Sequence, residues 1–547
     1  MARRLLRAAI GAMLRDAGSQ AGIDMYNGKL SFIFTVAVAL SFIGAWWVGQ
    51  RYRAAMRVMM SAPQAVRSER RRDDAPPPTP SLLPAVGTTL GDNRRAHSQL
   101  ALLLITLSAL IALSLAALEF GVAMEPGTFS WKRLPVLALV YMWPVLPALA
   151  LAGRWSRRRL ASALALWCAL CFAVVLWRSI EPRPIEVLAW LAIEIGPPLV
   201  LVALLCLGSV NRAIAPWLLP PFVVLVWSSI AGIDLLGVEV QREAGWLRQL
   251  SAWLGANAVF ALAAILPWLL AWWPLKWLAR ALARAYAAKL LSELLVLFTA
   301  VWGVSMLAHA LSSASALGLA GLVMLAPLAW IPLVILPWQR LHNDAGRAPT
   351  LLVLRVFQQD AQVQRLFDDV IERWRLSGNT VLIAGTDLAL RRLGADDIFT
   401  FLDGRLGTRF VRGPTDVAAR MSELDLVRDA DGRFRVNECY AHDSAWKDAL
   451  AALIARSDVV LMDLRSFQAR NAGCRYELGE LARADHLERV VVLTDAQTDR
   501  ATAQQEVALA PRGRFVWLDA TRIDTATRRD VLESLFVARR DESHAVA

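Results

Sequence analysis

The chain has 547 residues, 56% of them hydrophobic and 19% charged, with a mean hydropathy of +0.42 and a formal net charge of +12. That composition excludes an ordinary soluble protein, and the length allows two or three domains. The surplus arginines cluster beside apolar stretches with no zinc-finger, helicase or basic-zipper pattern, so membrane topology explains them better than nucleic-acid binding does.

In chain order, residues 1–29 place Arg3, Arg4, Arg7 and Arg15 among Leu5, Leu6, Ile10, Met13 and Leu14, the pattern of a short interfacial amphipathic helix. No small-residue cleavage site follows, so an anchor is expected and not a removed signal peptide; Met25, just before the first apolar run, is an alternative start. Leu30–Val48 is long enough to cross a bilayer, which makes 30–49 the first span. Residues 50–98 carry Arg70-Arg71-Arg72 and Pro76-Pro77-Pro78-Thr79-Pro80, and read as an extended basic linker unable to bury a core. A helical membrane domain is then expected over 99–338, with spans near 99–118, 134–152, 160–177, 185–207, 214–234, 251–273, 289–309 and 315–337. With the first span this makes about nine crossings of the lipid bilayer.

One set of alternate loops holds eighteen basic residues and the opposite set six. The richer side is expected to be cytoplasmic, which predicts an N-terminus outside and a C-terminal domain in the cytoplasm of a multi-pass protein. The Ala/Arg/Leu-rich composition suggests a bacterial inner membrane. Of the five cysteines, Cys168 and Cys171 have redox or metal spacing but lie in an apolar run without a nearby histidine, so they read as small core residues. No metal-ligand pattern is found and no cofactor is expected. Ionisable residues within spans are functional candidates. Glu194, in Glu194-Ile195-Gly196-Pro197-Pro198, predicts a carboxylate beside an interrupted helix, as an ion or proton site or as a packed, hydrogen-bonded group. Asn257 and His309 are weaker candidates of the same kind.

Residues 345–547 alternate short apolar runs with helical spacing. Leu351–Phe357 reads as a strand, Asp360–Leu376 as a helix and Thr380–Ala384 as a strand, a βαβ unit and hence a parallel sheet. Gly385–Asp443 looks irregular apart from a strand over Phe434–Tyr440. A helix over Ser444–Arg456, strands at Val490–Leu493 and Phe515–Leu518, and a last helix over Thr525–Ala538 follow. Four or five parallel strands with helices on both faces predict a flavodoxin-like α/β domain.

Within it, Ser457–Ala484 holds the chemistry. Val459-Val460-Leu461-Met462 predicts a buried strand, polar residues from Asp463 to Asn471 follow its carboxyl end, and a helix opens near Gly473. Glu477 then lies in an early turn of a helix facing the rim where α/β sheets bind ligands. It is either a catalytic carboxylate or a partner for the helix dipole worth about 0.3–1 kcal/mol.

The run Gly473-Cys474-Arg475-Tyr476-Glu477-Leu478, preceded by a strand beginning Ser457-Asp458, resembles the final conserved box of Toll/interleukin-receptor (TIR) domains, with Gly473 in the place of that box's tryptophan. Leu354-Arg355-Val356-Phe357-x-x-Asp360 loosely resembles the first TIR box. Tyr476-Glu477-Leu478-Gly479 is also similar to the "ELG" helix of nucleoside deoxyribosyltransferases. Both families use a flavodoxin-like sheet, and in both the glutamate works at the ribose of an N-glycosidic bond. The resemblance implies cleavage of the nicotinamide–ribose bond of NAD as substrate, with Glu477 catalytic. Asp463, Arg465 and Phe467 would line the pocket, and Arg355 and Phe357 would reach the nucleotide from the other side. It also implies homo-oligomeric assembly through the cytoplasmic domain. Two other readings stay open: a non-catalytic sensor whose TIR-like surface recruits partners, and a transporter with Glu194 as its coupling site and a nucleotide-responsive domain.

Overall fold

The computed structural model describes residues 20–61, 88–123, 130–179, 183–206, 208–341, 346–355, 369–384, 395–442 and 445–536. Two compact units divide the chain: Met1–Gln50 with Ala101–Trp338, and Arg51–Leu100 with Gln339–Ala547.

The first unit is helical. Among the described residues seven helices are long and apolar enough to cross a membrane: Phe32–Met59, Leu90–Gly121, Arg157–Arg178, Pro184–Leu205, Asn211–Gln241, Ala256–Ala287 and Ala320–Leu341. These are the helices of a multi-pass membrane protein. The segment expected at 134–152 is two short helices, Leu134–Tyr141 and Val145–Ala152, bent by 44°. That expected at 289–309 contributes the shorter apolar helix Glu293–Leu307. Trp46, Trp47, Trp253, Trp272 and Trp273 are exposed on this unit.

The interruption expected at Gly196-Pro197-Pro198 is not found: one helix runs over Pro184–Cys206 with both prolines inside it. Its buried stripe, Leu191, Ile195, Val202 and Leu205, recurs at helical spacing and holds it by packing where propensity would break it. The prolines still lack N–H groups, which deprives the carbonyls of Ile193 and Glu194 of their intrahelical donors.

The second unit is built on a seven-stranded sheet, all parallel, in the order β3-β4-β2-β1-β5-β6-β7. The strands are β1 (Thr350–Arg355), β2 (Asn379–Ala384), β3 (Phe410–Val411), β4 (Val436–Ala441), β5 (Val459–Asp463), β6 (Arg489–Thr494) and β7 (Phe515–Asp519). The central ones are continuous apolar runs because a parallel sheet is covered on both faces: Leu351–Leu354, Val459–Met462 and Val490–Leu493 are all buried. From β1 the chain winds toward β2, and from β5 it winds the other way through β6 to β7. With the right-handed crossovers that parallel connections adopt, this reversal sends the connecting helices of the two halves to opposite faces.

The region 385–443, expected to be irregular apart from the strand over Phe434–Tyr440, has that strand as β4 and also contains helices Ala395–Leu402 and Pro414–Ser422 and the short β3. The helix expected over Asp360–Leu376 lies largely outside the described residues, which show its last turns from Asp369. The expected linker 50–98 is also shorter than composition implied. Its first residues continue the helix Gln20–Ser61, and its last ones open the helix Leu90–Leu118, while 62–87 lie outside the described residues. Both flanks are anchored in the second unit. Tyr52 is fully buried, its hydroxyl 3.4 Å from that of Tyr440, and Asn93 Nδ2 donates to the Arg373 carbonyl at 2.8 Å and to Ser377 Oγ at 2.7 Å.

The start of β5 is clamped to the start of β1. The buried Asp458 carboxylate accepts from the Thr350 amide at 2.8 Å and from both terminal nitrogens of Arg347. Its backbone also accepts from the Glu488 amide, which leads into β6. Asp458→Ala leaves the guanidinium and amide without their acceptor and is expected to cost about 2–3 kcal/mol. In the full-length protein this reads as a loss of roughly one to two decades of amide-exchange protection across Leu351–Leu354 and Val459–Met462. Unchanged protection there would show that the clamp carries none of the strand pairing.

Candidate functional site

The chain winds away from β1 and β5 in opposite directions, and the carboxyl ends of two such strands are the crevice position at which open α/β sheets bind ligands. Register puts Arg355, the last residue of β1, opposite Asp463, the last residue of β5. Two groups of the predicted site are thus brought to one place by backbone pairing alone. Phe357 lies outside the described residues.

Asp463 is buried and its carboxylate is closed by Arg465, whose Nε reaches Oδ1 at 2.9 Å and Nη2 reaches Oδ2 at 3.0 Å. The two form a bidentate pair inside one loop. Phe467 is fully buried in the hydrophobic core with Cys474, Leu478 and Leu481, so its ring anchors the loop after β5. Between them Ser466 adopts φ +58°, a left-handed conformation unfavourable for a serine by roughly 1–2 kcal/mol. It is held there by Asp495 just beyond β6, which accepts from the Ser466 amide at 2.9 Å and from its hydroxyl at 3.2 Å. Burial works against the Asp495 charge, but the Ser466 and Gln497 amides and the Thr498 hydroxyl outweigh it and hold the carboxyl below its ordinary range. Asp495 and Ser466 are rim residues that the sequence reading missed. The rule that found Asp463 applies equally to the residue following Val490–Thr494.

The helix Ala472–Arg483 begins after Asn471 and buries Cys474, Leu478, Leu481 and Ala482 along one stripe. Glu477 lies three residues beyond Cys474 and four before Leu481, so it rides on the same face. Its Oε2 is buried and has no hydrogen-bond partner among the described residues. Desolvation alone raises the carboxyl to about 7. The neighbouring Cys474 thiol is pushed up to about 12, chiefly by burial and then by the Glu477 and Asp463 carboxylates, which places all three groups within electrostatic reach. That thiol is no nucleophile. Gly473, in the place of the TIR tryptophan, has nothing within 4 Å of a Cβ built on it. Among the described residues no group of three or more His, Cys, Asp and Glu side chains is placed to hold a metal ion.

Chemically, then, the rim of β5 offers one uncompensated carboxyl poised to ionise near neutrality, beside one carboxylate already neutralised by arginine. Glu194 belongs to the other unit, where its Oε1 lies 2.8 Å from His309 Nε2.

The desolvation of the half-buried Glu477 carboxyl has a thermodynamic signature. The folded protein keeps its proton at a pH where the unfolded chain has lost it. The penalty is therefore absent below about pH 4, grows as pH rises, and is complete above about 7, where it amounts to at most on the order of 3 kcal/mol. Glu477→Gln removes it. Amide-exchange protection in β5 and in Ala472–Arg483 is expected to exceed wild type at about pH 8 and to match it at about pH 4. Equal protection at both values would mean the carboxyl is solvated.

No family model, no curated protein and no solved structure matches this chain.

Proposed function

We propose that this chain is a membrane-anchored TIR-like effector whose second unit, in the cytoplasm, cleaves the N-glycosidic bond of NAD or a related nucleotide when clustered. The observation that carries the reading is Glu477: a half-buried carboxyl on the helix that follows β5, whose Oε2 is enclosed without a hydrogen-bond partner among the described residues. An unpaired buried carboxyl is costly to keep, and such groups collect at sites of acid–base or electrostatic catalysis. Strand order supports it too. With the edge strand β3 and its neighbour β4 set aside, the remaining order β2-β1-β5-β6-β7 has the same sequence of neighbours as the 2-1-3-4-5 order of flavodoxin-like sheets.

In the reaction, the bond from C1′ to the nicotinamide nitrogen breaks with its electron pair going to the base, which leaves neutral. Water oxygen bonds to C1′ and releases a proton, giving ADP-ribose. Positive charge develops on the ribose, and the ionised Glu477 carboxylate at the sugar hydroxyls stabilises it most in the transition state. The positively charged nicotinamide ring of the substrate favours the ionised form of a carboxyl that stands near neutrality when free. Asp463 and Arg465 pair at the carboxyl end of β5, and backbone register sets Arg355, the last residue of β1, opposite Asp463.

The cytoplasmic assignment rests on the eighteen-to-six asymmetry of basic residues. Among the described residues seven helices are long and apolar enough to cross, eight if the bent pair is one span; taking the shorter apolar helix Glu293–Leu307 as a further crossing gives the odd number that this orientation needs. The membrane unit then acts as a sensor or clustering device for homo-oligomers.

Full-length protein in nanodiscs is expected to release nicotinamide from NAD slowly when dilute and faster when crosslinked into clusters, with a rate that rises with pH through about 7. Glu477→Ala is expected to lower the rate by roughly a hundredfold or more. A clustered, folded preparation that leaves NAD intact over hours would sink the enzyme reading and favour a partner-recruiting surface instead.

A further inference from the structure

The membrane unit contains a polar cluster that the NAD reading does not use. His309, on the helix Glu293–Leu317, is nearly enclosed, with 8% of its side chain exposed. Each ring nitrogen faces a different carboxylate. Nε2 lies 2.8 Å from Glu194 Oε1, and Nδ1 lies 3.6 Å from Glu119 Oε2, while the two carboxylates keep 18% and 17% of their side chains exposed. The ring of Tyr141 packs edge-on against the imidazole, with centroids 4.4 Å apart, and fixes its plane. Four segments far apart in sequence supply these groups, and all belong to the first unit.

Backbone geometry marks the same place. Glu119 opens a π-helical turn, Glu119–Ala123, at the end of the span Leu90–Gly121. Single π turns inside or at the end of helices recur at functional sites. Glu119 Oε2 is buried and makes no hydrogen bond among the described residues. Glu194 is ten residues into Pro184–Cys206, about 15 Å along the axis and so near the middle of a bilayer core of about 30 Å. The imidazole therefore joins a carboxylate at the end of one span to a carboxylate halfway along another.

Among the described residues, two further segments bring no charge to the imidazole. Val145–Ala152 and the 3-10 segment Gly318–Ala329, which also pack on the His309 helix, hold no titratable residue. Gly208–Gln241 carries Arg212, Asp234 and Glu239, none of which is among His309's electrostatic partners. Two carboxylates and one imidazole can be neutral only with two protons bound among them, so the cluster is built to take up a proton. At 2.8 Å the nitrogen and oxygen are in direct hydrogen-bond contact, which leaves no room for a metal cation between them.

We propose that Glu119, His309 and Glu194 form an intramembrane proton relay, through which Glu194 at mid-bilayer exchanges protons with the end of the span that carries Glu119. In one transfer Glu119 gives a proton to Nδ1 and the Nε2 proton passes to Glu194. The ring returns to its starting tautomer by the reverse transfer, in which Glu194 gives a proton to Nε2 and the Nδ1 proton passes to Glu119. No net charge is created on the imidazole over the cycle. The ligand is the proton, and the membrane unit responds to, or moves, that ion.

The test is infrared difference spectroscopy on full-length protein in nanodiscs, acidified from about pH 9 to about pH 5. A carboxylic C=O band is expected to appear, to be absent in Glu194→Gln, and to shift on transfer to D2O. In His309→Gln, which keeps a hydrogen-bonding side chain but cannot pass a proton through a ring, hydrogen–deuterium exchange of the Glu194 carboxyl is expected to slow by roughly a hundredfold or more. Glu119→Gln cuts the entrance and is expected to slow the same exchange. If His309→Gln does not fold, Glu119→Gln decides alone. Exchange at wild-type rate in these variants overturns the relay, as does a Glu194 band that never appears on acidification or that sodium ions abolish at constant pH.

Discussion

The pairing of β1 with β5 is the constraint on which the second unit depends. These strands are far apart in sequence, yet they lie side by side at the centre of the sheet, and the chain leaves them in opposite directions. The reversal makes their carboxyl ends the crevice position, and the register puts Arg355 opposite Asp463 at those ends. At the other end Asp458 fastens the pair through Arg347 and Thr350. A slip of one residue would turn every side chain of β5 to the opposite face. Such a slip would also move Asp458 off its partners, so the clamp and the buried faces enforce the same alignment.

The two units treat buried carboxyls in opposite ways. In the helical unit Glu194 and Glu119 are set about one imidazole, each facing a different ring nitrogen. In the sheet unit Glu477 has no such partner, and desolvation alone moves its carboxyl toward neutrality. Asp463, close by, shows that the fold can neutralise a rim carboxylate, since Arg465 grips it with two nitrogens. An arginine within reach of Glu477 would have stabilised the folded chain in the same manner. Its absence among the described contacts leaves a group whose charge a cationic ligand can complete.

Much of the second unit was legible because buried parallel strands are short apolar runs that little else in a sequence imitates. Val459–Met462 and Val490–Leu493 stood out for that reason. β3 did not, since Phe410–Val411 is too short to show any period. The burial of Glu477 was legible as well: Cys474, Leu478 and Leu481 mark a core-facing stripe, and Glu477 occupies one of its slots. Composition misled at Gly196-Pro197-Pro198 and in the linker flanks, where packing overrode local propensity. The meeting of Glu119, Tyr141, Glu194 and His309 was not legible from residue types, because each comes from a different segment and only tertiary packing joins them.

The domain boundary drawn at residue 345 also misses a piece of the fold. Arg51–Leu100 belongs to the sheet-bearing unit, separated from the rest of it by the 238 residues Ala101–Trp338 of the other. Its contributions are specific. Tyr52 reaches the Tyr440 hydroxyl, which itself donates to Glu438 at 2.6 Å, and Asn93 satisfies the turn that leads into β2. Tyr440 and Glu438 lie on β4, paired directly to β2 and hence one strand removed from β1. The sheet is therefore completed by side chains from two helices whose other ends are membrane spans.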